Sequence, residues 1–142
     1  MSSDSRIDAD TIRSYSETAY VVHGDSPVTL SVDLDSPALA GLHRAYRVDC
    51  SAFITACNPF SQRLDDAANA ARQAALAEEL KRRGLRFLDG IGQHPSNEWA
   101  GEPSVLVFGL ALEAAKSLGV QFEQNAIIWC GADAVPRLIL LR

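Results

Sequence analysis

The stretch Ala52-Phe53-Ile54-Thr55-Ala56-Cys57-Asn58-Pro59-Phe60-Ser61 decides the fold. An apolar run meets turn-forming residues there with no spacer. In extended chain, Ala52, Ile54 and Ala56 face one way, and Phe53, Thr55 and Cys57 face the other. Neither set is charged. The strand over residues 50–57 is therefore expected to be covered on both sides or central in its sheet. Asn58-Pro59 ends it, since proline brings no N–H to a ladder and asparagine favours turns.

Downstream, the pattern predicts the longest helix over residues 62–83, with Ser61 as a candidate cap. Asp65 and Asp66 sit near its positive end; Lys81, Arg82 and Arg83 sit near its negative end, and Gly84 follows. At about 100° per residue, Asn69, Gln73, Leu76 and Leu80 share one stripe, with Arg72 on its edge. The C-terminal half of that stripe is apolar. Its N-terminal half is polar, although it points the same way.

Further on, residues 85–92 read as a short strand entering a glycine-rich turn, and residues 93–103 as a loop. Residues 104–110, SVLVFGL, are a strand apolar on both faces, and 111–118 a short helix closed by Gly119. NAIIWC (125–130) and RLILL (137–141) are spaced as a terminal hairpin. Upstream, residues 1–9 read as a disordered tail, and Asp10 as the cap of a short helix carrying Ile12 and Tyr15. AYVVH (19–23) and VTLSVD (28–33) form a hairpin across Gly24, Asp25, Ser26 and Pro27. Ser36-Pro37 starts another helix, with Leu39, Leu42 and Tyr46 at helical spacing.

The expectation is an α+β fold, a single domain over residues 10–142. It is a two-layer sandwich with helices on one side of a mixed, mainly antiparallel sheet of about six to seven strands. One helix is long and two to three are short.

Composition narrows the function classes. At 142 residues the chain is one domain able to bury a proper core. A net charge of −5 argues against a generic nucleic-acid binder, which needs a cationic footprint. Three cysteines, Cys50, Cys57 and Cys130, make an odd count with no close-set pair, as in a reducing compartment. There is no secretory h-region, and no apolar run approaches the ~18 residues of a membrane span. A cytoplasmic protein off the membrane is expected. His23, His43 and His94 lie far apart, with no HxH, HExxH or CxxC, so no metal and no cofactor is expected. Cys57 lacks a histidine partner at a recognisable spacing and reads as a small buried hydrophobe. Helix C-terminal charge explains most of the basic cluster Lys81, Arg82, Arg83 and Arg86, with an anionic partner as the alternative.

Chemistry gathers at strand ends. The first buried strand ends in Thr55 and Asn58; the Ser104 strand follows Glu102; the last hairpin starts at Gln124-Asn125. If the first strand runs antiparallel to the other two, these ends share one sheet edge, with Asn69 and Arg72 above them. Two readings apply together. Such groups fasten loops to strand ends, and they also make a pocket for a small polar or anionic ligand, with Arg72 supplying charge.

TACNPFS (55–61), Asn69-x-x-Arg72 with Leu76 and Leu80, Trp99 with Glu102-Pro103-Ser104, and Gln124-Asn125-Ala126 running into IIW form a linked set in this order. This set resembles the bacterial family of domain of unknown function 3293, over residues 15–141. The resemblance implies the same order of elements and no particular activity. Family members often carry a bulky residue where this chain has Cys57, which weakens a catalytic role for that thiol.

The expected ligand site is Thr55, Asn58, Ser61, Asn69, Arg72, Trp99, Glu102, Ser104, Gln124 and Asn125. The alternatives are an enzyme using Glu102 as general base, and a protein-interaction module acting through an exposed terminal strand. Glu102 separates the first two: a base lines an open cleft with a raised pKa, and a fastener is sealed.

Overall fold

In the computed structural model, residues 5–95 and 101–142 are described. Helix α1 (Ala9–Glu17) is capped by Asp8, whose side chain accepts from the Thr11 N–H. The cap lies before Asp10, because Asp8 already offers a carboxylate to the first turn. Ile7 is buried, so packing begins inside the stretch expected as a tail. Strands β1 (Ala19–Val22) and β2 (Val28–Leu30) pair antiparallel, Tyr20 opposite Leu30. Helix α2 (Pro37–Ala45) starts at Ser36, whose side chain accepts from the Leu39 N–H.

Strand β3 (Ser51–Ile54) is buried at every position. Its ladder stops before residue 57 because Ala56 and Cys57 donate their N–H groups to the Gln73 and Thr55 side chains instead. Helix α3 (Asp66–Arg82) is capped by Asp65 rather than Ser61, and residues 62–65 cross from the corner to the helix. Strand β4 (Phe87–Gln93) runs straight through Gly90 and Gly92, where a turn was expected. Gly90 is required there. A Cβ on it would lie 2.5 Å from the Val21 carbonyl oxygen and 3.0 Å from the Phe53 ring.

Strand β5 (Glu102–Phe108) precedes helix α4 (Leu112–Gln121). The helix does not close at Gly119. That residue stays helical, and its missing side chain admits Leu141 and Ile127. Strands β6 (Ala126–Cys130) and β7 (Pro136–Leu140) form the terminal hairpin.

The seven strands form one sheet in the order β2-β1-β4-β5-β3-β6-β7. Every pairing among the described residues is antiparallel. The sheet curls until its edges approach: Asp33, after β2, donates its N–H to the Pro136 carbonyl at the start of β7. The curl makes two cores. Inside it, Tyr20, Val22, Leu30, Phe53, Leu106 and Ile128 pack with Leu39 of α2. Outside, Ala52, Ile54, Val105 and Val107 pack under Leu76 and Leu80 of α3 and Leu118 of α4. The α+β architecture, with one long helix and three short ones, follows from apolar strands that must be covered on both faces.

Candidate functional site

β3 runs antiparallel to both β5 and β6. The end of β3 therefore meets the starts of β5 and β6 at one rim of the curl. The corner after β3 is tightly wound. Asn58, Phe60 and Ser61 all have left-handed backbone, with φ of 49°, 52° and 60°. Such backbone costs a residue with a side chain roughly 1–2 kcal/mol, least for asparagine. The surroundings hold it in place: the Phe60 N–H donates to the Glu123 carbonyl at 2.7 Å.

Asn58 is the hub. Its N–H donates to Asn69 Oδ1 at 2.8 Å, and its Oδ1 accepts from Asn69 Nδ2 at 2.8 Å and from the Leu64 N–H at 3.0 Å. Its Nδ2 donates to Glu102 Oε2 at 2.8 Å. Thr55 donates to the Pro103 carbonyl at 2.7 Å, clamping the two strand ends. Ser104 donates to the Glu102 carbonyl. Gln124 Nε2 reaches the Cys57 and Phe122 carbonyls, each at 3.1 Å. Asn125 Nδ2 donates to Tyr15 Oη at 3.1 Å and Ser61 Oγ at 3.2 Å. Ser61 is thus a partner of α1 rather than a cap of α3.

A cleft of about 1160 Å³ opens over this rim. On the inner sheet face Gly92, which lines the cleft, stands opposite both Tyr20 and Glu102. Tyr20, Phe53, Ile128 and Leu138 give it an apolar floor, and Tyr15 of α1 stands at its side. Thr55, Asn58, Ser61, Asn69, Glu102, Ser104, Gln124 and Asn125 all line it.

Arg72 does not line the cleft. Its Nε donates to the Ala56 carbonyl at 2.6 Å, Nη2 to the Phe122 carbonyl at 2.6 Å, and Nη1 pairs with Glu123 at 3.3 Å. A guanidinium so engaged is a fastener between β3, α3 and the segment after α4. The expected role as the ligand's counter-charge is set aside on that geometry. Trp99 lies outside the described residues. Gln73, Tyr15, Tyr20 and Gly92 line the cleft beyond the expected set. Gln73 was legible on the polar half of the helix stripe. Gly92, read as part of a strand face, leaves the cleft side of β4 without a side chain.

Glu102 has the distinctive electrostatics. Burial raises its pKa above the ordinary carboxylate value, and the Asn58 hydrogen bond offsets only part of that. Among the described residues Oε1 takes no hydrogen bond, and no cation pairs with the carboxylate. Glu102 in turn helps to raise the pKa values of Tyr20 and Cys57, behind burial as the main cause in both. Among the described residues, no group of three or more His, Cys, Asp or Glu is placed to hold a metal ion. No helix there is long and apolar enough to cross a membrane.

The family model described as "Protein of unknown function (DUF3293)" matches residues 54–127, more than half of the 142-residue chain. The chain belongs to this family. The DUF3293 match starts at the end of β3, spans α3 and the Glu102 strand, and ends in β6. It therefore takes in the hub residues Asn58, Asn69, Glu102 and Asn125, while Tyr15 of α1 lies outside it. Neither the curated proteins nor the solved structures contain a match to the chain.

Proposed function

We propose that this DUF3293 protein binds a small polar ligand in the rim cleft, with Glu102 as the anchoring acceptor. One observation carries the reading: Glu102 lines the cleft, is desolvated, and among the described residues its carboxylate has only an amide as partner. A desolvated carboxylate without a cation costs stability. Glutamine would fasten Asn58 equally well without that cost, so a retained charge points to a role outside the fold. A reducing, cytoplasmic setting fits the three free cysteines.

The same raised pKa supports a second reading, in which Glu102 is the general base of an enzyme. The interaction-module reading has less support. Among the described residues the exposed large apolar side chains are Leu34, between β2 and α2, and Val120 of α4.

A thermal-shift screen against metabolites and nucleotides at millimolar concentration tests the proposal, because a native-state ligand raises the melting temperature. Hits are then incubated with protein and analysed by mass spectrometry. Recovery of unchanged ligand supports binding. Conversion that stops in Glu102→Gln supports the base. A screen without hits sinks both.

A further inference from the structure

The cleft's own hydrogen bonds reveal which valences remain for a guest. Every polar atom of Asn125's side chain is engaged: Nδ2 with Tyr15 and Ser61, Oδ1 with Arg142. Both Asn58 Oδ1 and Asn69 Oδ1 accept within the hub. Thr55 Oγ1 both donates and accepts. Oxygens on the cleft wall beside the hub keep accepting capacity among the described residues, in addition to the Asp65 and Asp66 carboxylates at the start of α3. Glu102 Oε1 and Gln124 Oε1 accept no bond, and Ser104 Oγ only donates. No buried side-chain nitrogen or oxygen of the described residues lacks a partner, so the open acceptors are in contact with the cleft's solvent. Among the described residues, Gln73 Nε2 donates no bond and Asn58 Nδ2 donates one, so both amides keep donor capacity on this wall.

The floor is apolar and ring-lined. Tyr20 and Phe53 meet edge to face with centroids 5.3 Å apart. Beside them Gly92 presents bare backbone; a Cβ there would sit 3.7 Å from the Tyr20 ring and from Thr18. A flat body fits this slot better than a branched one.

We infer that the cleft selects a planar, nitrogen-bearing ligand that brings hydrogen-bond donors, of the amidine or amino-heterocycle class, with its N–H edge on Glu102 and Gln124. The inference rests on the ligand-binding reading above and gives it a chemical class. Carboxylates and phosphates match the cleft less well: an anion would face Glu102, Arg72 is turned away to backbone carbonyls, and Arg63 on the cleft wall is already engaged.

Benzamidine and benzoate are a matched pair for the test, equal in size and opposite in hydrogen-bonding sense. Binding to the full chain is followed by calorimetry and by nitrogen–proton spectra. Benzamidine binds and shifts the amides of residues 102–104 and 124; benzoate does not bind. Glu102→Gln weakens benzamidine roughly 10- to 100-fold, the worth of a charge-assisted bond. Gly92→Val, which fills the slot without touching the carboxylate, abolishes binding, and unchanged spectra elsewhere show that the variant is folded. Benzoate binding as tightly as benzamidine, or benzamidine binding unaffected by Glu102→Gln, overturns the inference. A neutral polyol that binds and is lost in Gly92→Val while benzamidine stays unbound also overturns it, yet upholds the ligand-binding reading. Silence from all three probes, together with an empty screen, removes both.

Discussion

Asn58 donates its side-chain amide to Glu102 at 2.8 Å while its own backbone is held left-handed, at φ 49°. One residue thus turns the chain out of β3 and fixes the cleft's carboxylate. The corner and the site are one arrangement.

Asn58→Ala removes three side-chain bonds and puts a residue with no local compensation at a left-handed position. It is expected to cost ~2–4 kcal/mol in urea unfolding. Asn58→Gly relieves the backbone part, so it should cost less than alanine. Equal costs for the two would show that the backbone conformation carries no penalty.

Glu102 gives a pH signature. Its folded pKa is raised, so in the window above the ordinary value of 4.5 the folded state holds the proton more firmly than the unfolded state. Stability therefore falls as pH rises from the unfolded pKa through the raised folded pKa. Glu102→Gln keeps the bond from Asn58 and removes the charge, so it melts higher than the wild type at pH 7. The difference shrinks as the wild-type carboxyl is protonated, and is gone below the ordinary carboxylate range. Among the described residues, the charged and titratable groups that line the cleft with it are Tyr20 of β1, Tyr15 of α1, Cys57 after β3, Arg63 before α3, Asp65 and Asp66 at its start, and His94 after β4. Melting curves from pH 3 to 8 check the sign. A variant less stable than wild type at pH 7 would mean that the charge is compensated.

Arg72 separates fastening from binding. Arg72→Met abandons the Ala56 and Phe122 carbonyls and is expected to cost ~2–3 kcal/mol of stability. Arg72→Lys recovers little, because one ammonium cannot span two carbonyls in a fork. Any ligand found for the cleft should keep its affinity within about twofold in Arg72→Lys at a temperature where the variant is folded. A large affinity loss would return Arg72 to the binding set.

Much of this was legible in the residues. Uncharged faces on both sides of Ala52–Ala56 predicted a covered or central strand, though not which strands flank it, and the convergence of Asn58, Glu102, Gln124 and Asn125 followed from polar strand ends plus antiparallel pairing. Arg72 was legible only as a charge near the rim. Whether a guanidinium faces a ligand or two carbonyls depends on where residues 56 and 122 lie, a long-range fact with no local pattern. Gly90 and Gly92 misled for a related reason. Glycine marks a turn in local terms, and the close approach of the Val21 carbonyl that demands it comes from another strand. Residues 62–65 also look helical by composition, but the left-handed corner delays the helix to the Asp65 cap.

The two strand glycines therefore part in mutation. Gly90→Ala drives a methyl against the Val21 backbone oxygen, which has no side-chain freedom to yield, and the expected cost is about 1–3 kcal/mol or more. Gly92→Ala meets only ordinary contacts at 3.7–3.8 Å and gains the usual strand preference over glycine, so stability changes by less than about 1 kcal/mol. Parallel urea melts rank the pair. Equal losses would mean that β4 is not held against β1 as described.

Cys57 is the one thiol that lines the cleft among the described residues. It lies at the rim, yet burial raises its pKa, and its sulfur faces the Gln73 side-chain oxygen at 3.9 Å and the Pro103 carbonyl at 3.6 Å, both acceptors that favour the thiol. Cys130 is pushed by burial to about 12, and Cys50 is raised as well. Thiol labelling at pH 7.5 should therefore be slow at all three positions in the native protein and fast in urea. A cysteine poised as a nucleophile would behave oppositely, because only the thiolate attacks. Rapid native labelling that maps to Cys57 would make it reactive and move the chemistry of the cleft from Glu102 to sulfur.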